Sequence, residues 1–256
     1  MEWRVYASGP SRAPTVGTLC AMNPQVQRIQ GLLREVDQER AARAADPVLA
    51  QRVSAVKRYQ HARFQHTYAD LLALPRYAKA TGFFLEELYG PGDFSKRDAQ
   101  FARVVPGLVR LFPQEVVLTV QTLGELHALS ERLDTAMGRR VPDAAVDLAA
   151  YTRAWQAVAT PAERDTQIML MRRVGDALDA YTRNPFLRHS LRLMRGPARV
   201  AGLHELQAFL ESGFDTFREM RGAKEFLDTV VQRERAIAAS LFSPAPAPAG
   251  AVFPQA

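Results

Sequence analysis

With 256 residues, a mass of 28.5 kDa, 47% apolar and 23% charged side chains, the chain is long enough to bury a core without staples and too ordinary in composition for a disordered or collagenous protein. Its one cysteine, Cys20, excludes a disulfide framework and multi-cysteine metal sites, and no run of about 18 apolar residues is present to cross a membrane. The formal charge of +6 is a weak pointer to nucleic acid: 4 of the 33 basic residues are lysine and the other 29 arginine, a skew that fits GC-rich codon usage, and they are scattered singly rather than gathered on one stripe.

The first 22 residues, MEWRVYASGPSRAPTVGTLCAM, have no periodicity and no basic stretch leading into a long apolar one. They read as a disordered segment or an over-extended start rather than a signal peptide. Asn23-Pro24 then opens a helix as a cap residue followed by proline does. From there to residue 242 the apolar period is helical almost throughout, and strand patterning is nearly absent. The phase breaks place helices at 24–45, 47–74, 75–89, 96–111, 114–138, 143–158, 161–182, 185–195, 199–220 and 222–242. Asp46-Pro47, Gly90-Pro91-Gly92, Pro113, Gly138, Asn184-Pro185 and Gly196-Pro197 punctuate them. Thr160-Pro161-Ala162-Glu163 combines a capping residue, a proline inside the start and a glutamate three residues on, a strong helix N-terminus. Pro106 falls inside the fourth helix, where it removes a backbone hydrogen bond. The run 139–143 is the best seam between two lobes, although it is short for a linker. SPAPAPAGAVFPQA, residues 243–256, is a Pro/Ala-rich tail that cannot bury a core. The expected architecture is an all-α bundle of about ten helices in a soluble, cytoplasmic protein.

One stretch resembles a known family. The run FFLEELYGPGDFSKRDAQFARVVPGLVRLFP from Phe83, with TVQTLGELHALSERLD and LRLMRGPARVAGLHELQAFLESGFDTFREM further on, is similar to the uncharacterised bacterial family named after its FFLEELY motif. The likeness spans residues 59 to 234. It implies an all-helical bacterial protein and brings no catalytic residues or cofactor with it.

Chemistry has to be sought among polar residues on apolar faces, because burying them costs energy unless they are paired or used. At about 100° per residue, Phe83, Phe84, Leu85, Leu88 and Tyr89 form an arc that includes Glu87 but not Glu86. Glu87 therefore needs a partner, and removing it is expected to cost about 2–5 kcal/mol if the pair is buried. On the second helix the apolar arc takes in Arg63, His66 and Asp70, with His66 and Asp70 spaced i,i+4. On the helix from Gln114 it takes in Thr119, His127, Ser130 and Asp134, with Glu131 at its edge. Two readings follow. His66, Asp70, Glu87, His127 and Glu131 form an iron- or manganese-binding carboxylate–histidine centre in the bundle, with oxidoreductase chemistry, although no Glu-x-x-His of the ferritin-like kind occurs. Or they form a structural network in which Arg63 neutralises Asp70 or Glu87.

Three other features read more simply. PFLRHSLRLMR, residues 185–195, sets Phe186, Leu187, Leu191, Leu193 and Met194 opposite Arg188, Arg192 and Arg195. That pattern suits an anionic membrane surface, but its short length favours a helix packing its apolar side on the bundle. Arg172, Arg173, Asp176 and Asp179 read as an exposed charged face, and Phe209, Phe214, Phe217 and Phe226 as core. Nucleophile elbows and glycine-rich phosphate loops are absent. The leading expectation is a non-enzymatic module that binds a protein partner or a small apolar ligand, with the metal-binding bundle as the alternative.

Overall fold

Local capping chemistry starts several of the helices. In a computed structural model that describes residues 23–88, 90, 92, 94–142 and 145–243, with Leu88 as backbone alone, α1 (Pro24–Ala44) begins at Asn23, whose side chain accepts from the Gln25 amide. Asp46 accepts from the amides of Val48 and Leu49 to open α2 (Pro47–Thr67). Thr160 and Glu163 cap each other reciprocally at the head of α8 (Pro161–Thr182), and Asn184 does the same work for α9 (Pro185–Leu193). Each such cap is worth about 1 kcal/mol and needs only neighbouring residues. The segment to Met22 with Cys20, the tail from residue 244, and Tyr89 and Pro91 lie outside the described residues.

The all-α expectation holds, with no strand among the described residues. Several boundaries differ. The expected 47–74 helix breaks at the fully buried Tyr68, and a short α3 (Ala69–Ala73) follows. α4 starts at Ala78 rather than Pro75, and Arg76 just before it reaches the carbonyls of Met220 and Gly222 and the Glu225 carboxylate. α4 (Ala78–Phe83) then widens into a π-helical turn, Phe84–Leu88. α5 (Ser95–Leu111) runs through Pro106. α6 (Gln114–Arg140) passes through Gly138 instead of stopping there. A Cβ at Gly138 would lie 3.2 Å from the Val53 backbone nitrogen, so this glycine lets α6 and α2 approach each other closely. α7 (Leu148–Val158) begins at an Asp147 cap. The expected 199–220 helix is two, α10 (Arg195–Val200) and α11 (His204–Glu219), divided at Gly202 with φ +68°, the left-handed residue that closes helices. α12 (Lys224–Phe242) ends the bundle.

α6 packs against α1, α2, α5, α7 and α8, and α12 lies against α7 and α8. Between them sits the main core. Phe64 and Tyr68 of α2 and its cap, Phe83, Phe84 and Leu85, Phe217 of α11, and Phe226, Leu227 and Val230 of α12 are all buried in it. Phe84 meets Phe226 edge-on at 5.5 Å, and Phe83 stacks on Phe209 at 5.6 Å. Burial of each such side chain is worth on the order of 1.5–3 kcal/mol. The apolar half of the FFLEELY run is thus a plug for this core. The aromatics of α11 and α12 are core as expected, with Phe209 partly buried against it.

Candidate functional site

The five residues expected around a metal fall in two places. His66 and Asp70 are exposed at the end of α2 and in α3, where Arg233 of α12 binds both Asp70 oxygens at 2.7 Å. Glu87, His127 and Glu131 belong to a chain of ion pairs linking the π-helical turn with α1, α2, α5 and α6. Among the described residues, no group of three or more His, Cys, Asp or Glu side chains is arranged to hold a metal ion. The physical reason is visible in the partners. Each of the three carboxylates is engaged by arginine or lysine, whose positive charge repels a metal cation as it attracts the carboxylate.

Glu131 is the hub. Its Oε2 accepts from Arg43 of α1 at 2.5 Å and its Oε1 from Lys57 of α2 at 2.9 Å, with Arg40 3.8 Å away. Burial pushes the Glu131 carboxyl up, but Lys57 and Arg43 outweigh it and hold the pKa down at about 2. One turn along α6, Asp134 accepts from Gln60 at 3.0 Å. There burial dominates and raises the carboxyl above its ordinary value. Towards α5, His127 Nε2 lies 2.9 Å from Asp98, which also accepts from Arg40 at 2.8 Å. Burial raises the Asp98 pKa, but His127 and Arg40 together lower it below its ordinary value.

Glu87 has the partner its position demanded, and the partner is Arg97 of α5 at 3.1 Å, its guanidinium held 4.2 Å from the rings of both Phe94 and Phe209. The expected depth of burial needs correcting: the Glu87 side chain is 38% exposed. A π-helix turns less per residue than the assumed α-helix, so counting at about 100° carried Glu87 too far into the apolar arc. The expected cost of Glu87→Ala falls accordingly to about 0.2–1 kcal/mol, the range of an exposed pair. Thermal unfolding checks this, and a loss of several kcal/mol would place the carboxylate inside.

Arg63 does not neutralise Asp70 or Glu87 as expected. Its Nη1 donates to Glu234 of α12 at 2.5 Å, and Tyr68 Oη donates to the same oxygen at 2.8 Å. All three residues are buried. Burial works against the Arg63 charge, but Glu234 more than offsets it and raises the guanidinium pKa. Sequence reasoning missed Glu234 because α12 shows an ordinary amphipathic pattern. It also missed Asp179, which is buried rather than on an exposed face, and which accepts from the Ala223 amide at the head of α12 at 2.9 Å.

A second feature lies at the surface. None of the residues of α9 is fully buried, so the expected packing of its apolar side on the bundle is met only in part. Phe186 is 73% exposed, Leu193 65% and, at the end of α10, Val200 92%. Leu187 and Leu191 are half-buried, so contact with α8 and α11 takes up only part of the apolar arc. Arginines 183, 188, 192, 195 and 199 lie in this stretch, and no acidic residue occurs between Asp179 and Glu205. Arg195 binds Glu211 through Nε at 2.7 and 2.8 Å. Among the described residues Arg192 and Arg199 form no ion pair, and both are exposed.

No helix of the described residues is long and apolar enough to cross a membrane. No curated protein and no solved structure matches the chain. A family model does match, described as a domain of unknown function (DUF8198), over residues 39–248. This span runs from the end of α1 to beyond α12 and takes in both the ion-pair chain and the α9–α10 surface, so the chain belongs to that family of uncharacterised helical domains.

Proposed function

We propose that this domain is a non-enzymatic docking module that binds a protein partner through α9 and α10. One observation carries the reading: an amphipathic helix keeps Phe186, Leu193 and the following Met194 in solvent although a large helical bundle lies beside it. Solitary exposed apolar residues are common, but several on consecutive short helices bordered by arginines are the composition of an interface centre. The fitting partner surface is apolar and rimmed with carboxylates, which Arg192 and Arg199 would pair. Two clefts of the bundle are lined mainly by charged and polar side chains, which favours a protein partner over a small apolar ligand.

The test is affinity capture from the source organism with the wild type and a Phe186→Asp, Leu193→Asp variant. Both positions are exposed, so the double variant is expected to keep its melting temperature within about 2 °C. A protein retained by the wild type and lost by the variant is the expected result. Identical captured sets would overturn the reading.

A further inference from the structure

The turn that joins α5 to α6 leaves three large apolar side chains in solvent. Leu111 ends α5, Phe112 follows in extended backbone, and Pro113 precedes the first turn of α6. Leu111 is 76% exposed, Phe112 43% and Leu118 47%. The small core beneath is filled by Val26, Ile29, Leu33, Val105 and Val117, and the three lie outside it. Two charged residues flank them. Arg110 in the last turn of α5 and Glu115 in the first turn of α6 are both exposed, and among the described residues neither forms an ion pair. The Glu115 backbone carbonyl accepts from Thr119 and Tyr181, which leaves its carboxylate free for a cation. Glu115 and Leu118, three positions apart, share one face of α6.

We propose that this corner is a self-association site, on which a second copy of the chain docks about a two-fold axis. A two-fold contact sets one patch against itself, so every residue that meets another is answered by the same pair in reverse. Arg110 and Glu115 meet that condition. One cation and one anion, each without an ion-pair partner, make two reciprocal ion pairs across the axis, beside the apolar contact of Leu111, Phe112 and Leu118 with their copies. The patch carries no net charge, as a surface that faces its own copy requires. The α9–α10 surface differs: there Arg192 and Arg199 are both exposed, and like charges set against each other across an interface are costly. A second copy therefore suits the corner and not that surface. Three apolar side chains from each copy make a small interface beside the roughly 800 Å² per partner of a stable complex, so dimerisation is expected with a Kd on the order of 10–500 µM. The pairing does not rest on the docking role of α9 and α10.

Sedimentation equilibrium of the full chain from about 10 µM to about 1 mM tests the proposal. The wild type is expected to be a monomer–dimer equilibrium with no larger species. Arg110→Glu and Glu115→Arg each set like charges across the axis and are expected to weaken dimerisation about tenfold. The double variant restores both pairs in reverse and is expected to return to within about threefold of the wild type, a rescue that non-specific apolar association does not give. Leu111→Asp removes apolar contact and is expected to leave a monomer, with its melting temperature showing that the fold is kept. Leu118→Asp gives the same test should Leu111→Asp fold poorly. A wild type that stays monomeric throughout, whether its corner is bare or taken by residues 1–22 or by a different protein, overturns the proposal. So do species that grow beyond the dimer, dimerisation indifferent to the charge changes or to both aspartate variants, or a double charge variant no tighter than the single ones.

Discussion

Replacing Glu234 by alanine is expected to destabilise the protein by about 3–5 kcal/mol, because it strands the Arg63 guanidinium in the core. Arg63 has 4% and Glu234 8% of its surface exposed, so water cannot take over the role of the lost carboxylate without opening the packing of α2 against α12. Tyr68 would also lose the shorter of its hydroxyl contacts, 2.8 Å to Glu234 against 3.4 Å to the Val230 carbonyl. For a chain of this size the corresponding fall in melting temperature is roughly 6–20 °C. The double replacement Arg63→Met, Glu234→Leu separates the mechanism from a simple loss of contacts. Replacing a buried ion pair by apolar groups of similar volume is often near neutral, so the double variant should recover most of what Glu234→Ala loses. Denaturant unfolding of the three proteins measures this. A double variant as unstable as Glu234→Ala would show that packing, not the unpaired charge, sets the cost.

The second large effect depends on acid. The folded-state pKa of Glu131 lies near 2, below the ordinary value of 4.5. A lowered carboxyl pKa gives stability that is fully present above the unfolded-state pKa and is lost as pH falls through the folded one. The stabilisation from Glu131 is therefore complete above about pH 5 and fades between about pH 4.5 and 2. At about 1.4 kcal/mol per pKa unit its size is on the order of 3 kcal/mol. Asp98 and Asp70 are lowered in the same direction and add to the overall acid sensitivity. The informative quantity is thus the difference between wild type and Glu131→Gln. Urea unfolding at pH 7, 4 and 2.5 should show the wild type more stable by about 3 kcal/mol at neutral pH, with the gap closing towards pH 2. A gap independent of pH would mean that charge at Glu131 is not what holds α1, α2 and α6 together.

Helix starts were legible because the cause is local. Asn23, Asp46, Thr160 and Asn184 each bond a backbone amide two or three residues away, so the residue and its effect share one short window. Gly202 was missed, because the apolar phase runs across it and hid the division between α10 and α11 that its left-handed backbone makes. Gly138 deceived in the opposite direction, reading as punctuation where it serves close packing on Val53. The π-helical turn left no trace in the periodicity of only seven residues, and so Glu87 was placed too deep.

Candidate site residues were harder, for a reason of distance along the chain. That Glu87 needed a cation, and that Glu131 lay at the edge of an apolar arc, follows from composition and helical spacing alone. Which cation answers each does not. Arg43 lies 88 residues from Glu131, Arg233 163 from Asp70, and Arg63 171 from Glu234. With 29 arginines to choose from, every acidic residue has many chemically equivalent partners. The amino-acid sequence by itself determined an all-helical bundle, its main helix starts and the burial of the aromatic run at Phe83, because these depend on short-range bonding and on a period that any apolar core reads the same way. Only the tertiary structure decided that Asp70, Glu87 and Glu131 meet arginine or lysine, that Arg40 lies between Asp98 and Glu131, and that Phe186 and Leu193 of α9 are left in solvent. Those outcomes turn on how helices far apart in sequence are stacked, and a pattern confined to one helix carries no information about the surface that meets it.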